Sequence, residues 1–169
     1  MESNVKLYSL PYSELKTYWL AAAFIAGNII LPQLCHLIPQ GGMMLLPIYF
    51  FTLVGAYKFG WRVGLHTAVF SPLVNTALFG MPAAALLPVI LLKSVLLAIA
   101  AGWAASHFRK ASLPLLVGVV AFYQLLGGVG EWAITGSVAS ALQDIRLGLP
   151  GIAFQILGAY MLINFIIRK

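Results

Sequence analysis

Apolar residues dominate six stretches of the chain, and short segments containing glycine, proline or polar residues separate them. A helix needs roughly 20 mostly apolar residues to cross the hydrocarbon of a bilayer, and fewer where neighbouring helices shield it. The pattern therefore predicts six membrane-spanning helices. They are expected at about 17–37, 42–57, 61–79, 83–107, 112–131 and 148–167.

Two connecting regions of this pattern carry further predictions. The second span is the shortest, and Pro47 with the preceding Gly41 and Gly42 predicts that it is kinked. The longest connection, residues 132–147, is expected to form an outer loop in which Ser137 caps a short helix. The polar stretch at residues 1–16 does not resemble a cleaved signal peptide.

Composition supports a membrane protein. Of the 169 residues, 62% are hydrophobic and only 8% are charged, and the mean hydropathy is +0.96. A soluble domain of this length would carry about a quarter charged residues. The sequence thus predicts an all-α integral membrane protein, one domain over residues 1–169, built as a bundle of six transmembrane helices. The single cysteine, Cys35, excludes an internal disulfide.

The basic residues predict how the bundle is oriented. Lysine and arginine accumulate in cytoplasmic segments, and six spans place both termini on one side. That side would hold eight cations, and the other side would hold only Arg146. Both termini are therefore expected in the cytoplasm. The eight cations are Lys6, Lys16, Lys58, Arg62, Arg109, Lys110, Arg168 and Lys169.

Lys93 lies inside the fourth predicted span, about ten residues or roughly 15 Å from its outer end. An ionisable group at that depth costs a few kcal/mol or more unless it faces the bundle interior or a wet cavity. Two interpretations stay open. Lys93 either pairs internally, with Glu131 as an available carboxylate, or it helps to hold an anionic or strongly polar ligand.

Other polar residues recur at helical spacing in the outer half of the predicted bundle. Thr67, Ser71 and Asn75 are four apart and form one stripe on the third span. Each polar residue can also be explained by hydrogen bonding between helices. Taken together, they predict an outward-facing pocket. Its further contributors are Asn28, Pro32, Cys35, His36, Gln124, Glu131 and Gln155.

The sequence gives little support to catalysis or metal binding. Ser71 and His66 would both have to come from one helix to form a nucleophile and its base. Cys35 beside His36 does not complete a coordination sphere, and no HExxH motif or phosphate-binding glycine loop is present. The expectation is a protein that is not an enzyme and that holds no metal or cofactor of its own.

Small residues give the next indication. Ala22-x-x-x-Ala26 and Ala98-x-x-x-Gly102 allow helices to approach closely. With the chain length, the six spans and the hairpin run LPIYFFTLVGAYKFGWRVGLHTAVFSPLVNTALFG, the sequence resembles the substrate-binding S-components of energy-coupling factor (ECF) vitamin transporters. No vitamin-specific signature is identified.

This resemblance implies a subunit of an ABC-type importer in the plasma (inner) membrane of a prokaryote. It would capture a vitamin or related micronutrient outside and deliver it with a transmembrane coupling subunit and two ATPases, which use the ATP. By analogy, Ala22 and Ala26 would dock the coupling subunit. The ligand contacts that the family implies correspond to His36, Gln40, Asn75, Lys93, Gln124, Glu131 and Gln155.

Two other classes remain open from the sequence. A self-sufficient small transporter or channel is expected to show internal repeats or interrupted helices, and no clear repeat is found. A membrane enzyme is the third class. Within the capture hypothesis, Lys93 favours a ligand that carries a carboxylate or phosphate.

Overall fold

The computed structural model describes residues 6–167, in which every regular element is helical and no β-strand occurs. The first five α-helices of this region are α1 (Leu15–Cys35), α2 (Gly41–Leu45), α3 (Phe50–Phe59), α4 (Trp61–Phe79) and α5 (Leu87–Phe108). They are followed by α6 (Leu113–Thr135), α7 (Val138–Ala141), α8 (Gln143–Leu147) and α9 (Leu149–Met161). A 3₁₀ turn (Pro47–Tyr49) precedes α3, and a π-helical turn (Leu162–Ile166) continues α9.

Four helices within residues 6–167 are long and apolar enough to cross a membrane: α1, α5, α6, and α9 with its π-helical turn. Helix α4 has 19 residues, but it also carries polar and basic side chains such as Arg62, His66 and Asn75. The predicted all-α class with membrane-capable helices is confirmed to this extent.

Polar and apolar side chains are distributed in the reverse of a soluble domain. Large apolar side chains such as Ile30, Leu125 and Phe165 are exposed on the outside of the helices. Asn28, Lys93 and other polar side chains are buried between them. Lipid tails cannot satisfy polar groups, so a membrane bundle keeps them inside and turns its apolar surface outward. This distribution is the one expected of a protein in a bilayer.

The segment predicted as the second span, 42–57, is not one helix. Leu46 adopts a left-handed conformation (φ 47°) between α2 and the 3₁₀ turn. Pro47 explains why Leu46 does not continue the right-handed helix, because a proline disfavours that conformation at the residue before it. Helix α3 has only 10 residues, which is about 15 Å, yet it is buried almost throughout because α1, α4, α5 and α9 pack around it.

The predicted outer loop, 132–147, is mostly helical. Helix α6 continues to Thr135 and ends at Gly136, whose φ of +68° favours glycine. Ser137 then caps α7 by accepting a hydrogen bond from the Ser140 backbone N–H at 3.2 Å, as the sequence predicts. We call residues 136–148 the cap segment.

The two ends of the described chain lie together. The backbone N–H groups of Tyr8 and Leu10 donate hydrogen bonds to the Lys58 and Phe59 carbonyls at 2.8 and 3.1 Å. Ile167 packs against the small apolar cluster that contains Leu10 and Phe59. We call this the terminal end of the bundle. The opposite end, with residues 36–46, residues 80–86 and the cap segment, is the loop end. Arg168 and Lys169 lie outside the described residues.

Small residues let the central helices pack closely. A Cβ at Gly64 of α4 would lie 2.7 Å from the Ala56 Cα of α3, and a Cβ at Gly102 of α5 would lie 2.7 Å from the Trp61 Cα. Both neighbours are backbone atoms, which cannot move aside as a side chain can. Gly102 belongs to the Ala98-x-x-x-Gly102 pattern, and this pattern therefore serves packing within the chain.

Replacing Gly102 by alanine is expected to destabilise the protein by about 1–3 kcal/mol, because the added methyl group overlaps the Trp61 backbone. The measurement is thermal unfolding of the detergent-purified protein. Gly118→Ala is the matched control, since no atom lies within 4 Å of a Cβ at that position in α6. Equal melting temperatures for both variants would contradict the packing argument.

Candidate functional site

A cavity of about 330 Å³ lies at the loop end of the bundle. Segments from α1, α2, α4, α5 and the 80–86 connection form its wall. Several wall residues, including His36, Met43 and Met81, are exposed, so the cavity opens at the loop-end surface. We call it the loop-end cavity. Its lining residues are Pro32, Gln33, His36, Gln40, Gly42, Met43, Pro47, Ile48, Asn75, Met81, Pro82, Ala83, Leu86 and Ile90.

Pro32 determines how one polar wall residue is held. A proline inside a helix has no backbone N–H, so the carbonyl four residues earlier loses its helical partner. That carbonyl belongs to Asn28, and the Nδ2 of Asn75 donates a hydrogen bond to it at 2.9 Å. Proline in α1 thus creates a buried acceptor, and the amide of Asn75 in α4 satisfies it.

The Asn28 side chain connects three helices. Its Nδ2 donates to the hydroxyl oxygens of Thr52 in α3 and Ser71 in α4, at 3.1 and 3.2 Å. Its Oδ1 accepts from the Phe51 backbone N–H at 3.1 Å. Asn28 is fully buried and does not line the loop-end cavity. It is therefore a structural residue behind the cavity wall, whereas the sequence placed it among the pocket residues.

Two buried atoms of the cavity wall have no hydrogen-bond partner among the described residues. They are the Oδ1 of Asn75 and the Nε2 of Gln33. A buried polar group without a partner costs roughly 1–3 kcal/mol, so such groups are uncommon and call for an explanation. Both residues border the same cavity, one with a free acceptor and the other with a free donor.

His36 lies at the C-terminal end of α1, at the rim of the cavity. Its Nδ1 is 2.7 Å from the Pro32 carbonyl. A carbonyl only accepts, so Nδ1 carries the proton and Nε2 of the neutral ring is left as an acceptor. The Nε2 atom lies against Gly42, where a Cβ would be only 2.7 Å away. Gln40, which precedes α2 in a left-handed conformation, is exposed at the same rim.

Lys93 lies outside this cavity. Its ammonium group is 2.5 Å from the Glu131 carboxylate of α6 and 2.7 Å from the Asp144 carboxylate of α8, and the residue is 1% exposed. Ser140 donates a further hydrogen bond to Glu131 at 2.8 Å. Of the two interpretations left open by the sequence, the internal pair is the arrangement found. Asp144 is a second partner that sequence spacing did not indicate.

We call Lys93, Glu131 and Asp144 the charged triad. A glycine makes room for it, since a Cβ at Gly127 would lie 2.6 Å from the Lys93 Cγ. Two carboxylates face one ammonium, so the triad has a formal charge of −1 with all three groups ionised. It joins the cap segment to α5 and α6. The positive charge of Lys93 is thus neutralised within the protein.

Gln124 and Gln155 belong to a third polar group, centred on Tyr123. The Tyr123 hydroxyl donates to the Gln155 Oε1 at 2.9 Å and accepts from the Gln124 Nε2 at 3.0 Å. The Gln155 Nε2 lies 3.4 Å from the carbonyl of Leu46, the residue that interrupts the predicted second span. Neither glutamine lines the loop-end cavity. Gln155 connects α9 with α6 and with the segment that follows α2, whereas Gln124 bonds to Tyr123 within α6.

The structure therefore divides the seven predicted ligand contacts into three groups. His36, Gln40 and Asn75 line the loop-end cavity. Lys93 and Glu131 belong to the charged triad, and Gln124 and Gln155 belong to the Tyr123 group. The sequence missed Gln33 and Tyr123. Gln33 could have been identified, because a polar residue directly after an intrahelical proline lies beside an unpaired backbone carbonyl. Tyr123 could not, because a tyrosine within an apolar run does not indicate a polar site.

Other surfaces of the described residues fit a ligand site less well. A groove of about 410 Å³ between α5 and α6 is lined only by apolar side chains and glycine, among them the exposed Trp103 and Phe122. No group of three or more His, Cys, Asp or Glu side chains within residues 6–167 could hold a metal ion. Ala22 and Ala26 are exposed on α1, next to the buried Ala21.

Replacing Lys93 by methionine is expected to destabilise the protein by about 3 kcal/mol, because the buried Glu131 carboxylate and the partly buried Asp144 carboxylate would remain without a cation. The triple variant Lys93→Met, Glu131→Gln, Asp144→Asn removes all three charges and should recover most of this loss. Denaturant unfolding in detergent measures both. A triple variant as unstable as the single one would show that the charges do not control stability here.

Comparisons of the chain with protein-family models, with curated proteins and with solved structures give no match. The functional argument therefore rests on the geometry of the loop-end cavity and on the residues around it.

Proposed function

We propose that this protein is the substrate-binding subunit of an ECF-type importer and that the loop-end cavity captures a vitamin-like small molecule from outside the cell. The observation that carries the proposal is the cavity itself. It is open at one end of a membrane-type bundle and brings His36 and Gln40, from the connection between α1 and α2, together with Asn75 of α4. Most small-molecule sites are concave, mainly apolar, and contain a few polar groups that fix orientation.

The distribution of charge supports an outward-facing cavity. The terminal end carries the basic side chains Lys6, Lys58, Arg62, Arg109 and Lys110, whereas Arg146 is at the loop end. By the positive-inside rule, the terminal end is cytoplasmic and the loop end faces outward. In this proposal six segments traverse the bilayer. The short buried α3 belongs to one of them and relies on its neighbours to satisfy its polar groups.

The proposed partner is a transmembrane coupling subunit that works with two ATPases. Its docking site is the exposed strip of α1 around Ala22 and Ala26, where side chains no larger than a methyl group allow another helix to approach. The sequence lacks a phosphate-binding glycine loop, so uphill transport would take its energy from a partner or from an ion gradient, and the ECF-type proposal takes the partner. ATP would therefore be used by the partner subunits.

One observation favours a second candidate, a self-sufficient transporter coupled to an ion gradient. The charged triad is a buried set of ionisable groups that joins α5, α6 and α8. Intramembrane acidic and basic residues commonly belong to proton or ion pathways. The two candidates differ in whether substrate uptake needs the coupling subunit and the ATPases.

Substitution of Ala83 by tryptophan tests the cavity. Ala83 lines it and is exposed, so a large ring should fill the opening without disturbing the core. We expect the amount of small molecule released from gently purified protein, measured by mass spectrometry, to fall at least tenfold. Ala84→Trp is the control, since Ala84 is also exposed but does not line the cavity. Equal release from both variants would place the ligand elsewhere.

The partner is tested by co-purification with the coupling subunit and ATPases from the same genome. Ala22→Trp and Ala26→Trp should each abolish co-purification, because the ring would hold the partner helix away. Ala121→Trp, at an exposed alanine in α6, should leave it intact. Substrate uptake by the isolated protein in liposomes would instead support the self-sufficient transporter.

A further inference from the structure

We propose that the loop-end cavity selects an uncharged ligand group in which an N–H donor lies beside a C=O acceptor, as in a carboxamide, lactam or cyclic urea. This inference rests on the proposed function, because it specifies the ligand of the same site. The donor would bind the Asn75 Oδ1, and the acceptor would bind the Gln33 Nε2.

The orientation of the Asn75 amide is fixed by its partner. The two ends of an asparagine amide look nearly alike in shape, so the hydrogen-bond network must decide which end is oxygen. Here one end faces the Asn28 carbonyl at 2.9 Å. A carbonyl can only accept, so this end is the NH₂ group and the other end is the Oδ1 acceptor. Pro32 preserves the arrangement, because its missing N–H leaves the Asn28 carbonyl in need of a donor.

The Oδ1 acceptor is left without a partner although Asn75 is only 1% exposed. Gln33, on the turn of α1 that contains Pro32, contributes a second buried amide end without a partner, which stands as the Nε2 donor. No hydrogen bond among the described residues fixes this amide, so it is free to turn its donor towards the ligand. A ligand group that presents a donor and an acceptor together satisfies both atoms at once. Sites built around such atoms reject analogues that lack the matching groups, because the protein atoms then stay buried and unpaired.

The cavity wall also argues against a charged ligand group. None of its lining residues is Lys, Arg, Asp or Glu. The nearest candidate from the sequence, Lys93, has its charge neutralised by Glu131 and Asp144 and does not line the cavity. A carboxylate or phosphate would therefore lose its hydration without a lysine or arginine to pair with. The carboxylate or phosphate ligand favoured by the sequence is replaced by a neutral one.

The rest of the wall suits an apolar ligand body. Met43, Met81, Ile48 and Ile90 contribute flexible or branched apolar side chains, and three prolines add rigid apolar surface. A volume of about 330 Å³ is at the small end of ligand pockets in proteins. The expected ligand is therefore a small ring system with one amide-type edge.

Two matched pairs of small-molecule probes test this preference. Within each pair, one compound carries a carboxamide where the other carries a carboxylate. The pairs are nicotinamide with nicotinate, and benzamide with benzoate. Saturation-transfer NMR on the detergent-purified, ligand-stripped protein gives the affinity of each. We expect both amides to bind at least tenfold more tightly than their acids at neutral pH. Equal affinities, tighter binding of the acids, or no response from either amide would overturn the assignment.

Variants connect the preference to the named atoms. Gln33→Leu and Asn75→Leu should each reduce amide binding at least tenfold, whereas Gln33→Lys should shift the preference towards the acids by supplying a cation. Gln33 is only half-buried, so its variants should fold even if Asn75→Leu does not. Ser94→Ala is the matched control, since the Ser94 Oγ is equally buried and unpartnered but does not line the cavity.

The outcomes separate this inference from the proposed function. Acid binding that Ala83→Trp abolishes would overturn the amide preference and leave the capture role standing. Co-purification with the coupling subunit and ATPases, without any amide preference, would likewise overturn the amide preference and leave the capture role standing. An amide preference unaffected by Gln33→Leu and by Gln33→Lys would overturn the assignment of the donor.

Discussion

The absence of hydrogen-bonding partners in lipid is the constraint on which this bundle depends. Each polar group that the helices carry inside must find a partner within the protein. The clearest case begins with Pro32, which leaves the Asn28 carbonyl unpaired and thereby orders Asn75 against it. Asn28 itself bonds to Thr52, Ser71 and the Phe51 backbone. The intrahelical proline thus helps to fix α1 to α4 and to set one wall of the cavity, and the Asn28 side chain adds the links to α3.

The three polar groups have different consequences because they are satisfied to different degrees. In the charged triad and in the Tyr123 group, each named side chain forms an ion pair or a hydrogen bond with another side chain of the group. The cavity wall differs from both, because a buried acceptor at Asn75 and a buried donor at Gln33 have no partners there among the described residues. Unsatisfied atoms lower stability, so their position beside an open cavity is best explained by a ligand that completes them.

The sequence could predict the class of fold because hydropathy and charge act over whole segments. Helices α1, α5 and α6 begin and end within four residues of the predicted spans. Pro47 correctly predicted that the second span is interrupted, but hydropathy could not show a complete break at Leu46, since that depends on a single backbone conformation. For the site, helical spacing identified Asn75 and His36 but could not show that Asp144, thirteen residues after Glu131, returns to Lys93. Helical periodicity relates residues on the same helix, so it cannot predict a contact that depends on how the cap segment folds back.

A cryo-electron microscopy structure of the gently purified protein with a bound antibody fragment tests the ligand site most directly. We predict density for a small molecule in the loop-end cavity, within hydrogen-bond distance of the Asn75 Oδ1 and the Gln33 Nε2, while Lys93 stays with Glu131 and Asp144. Density for a bound molecule that contacts Lys93, with the triad opened, would contradict this prediction.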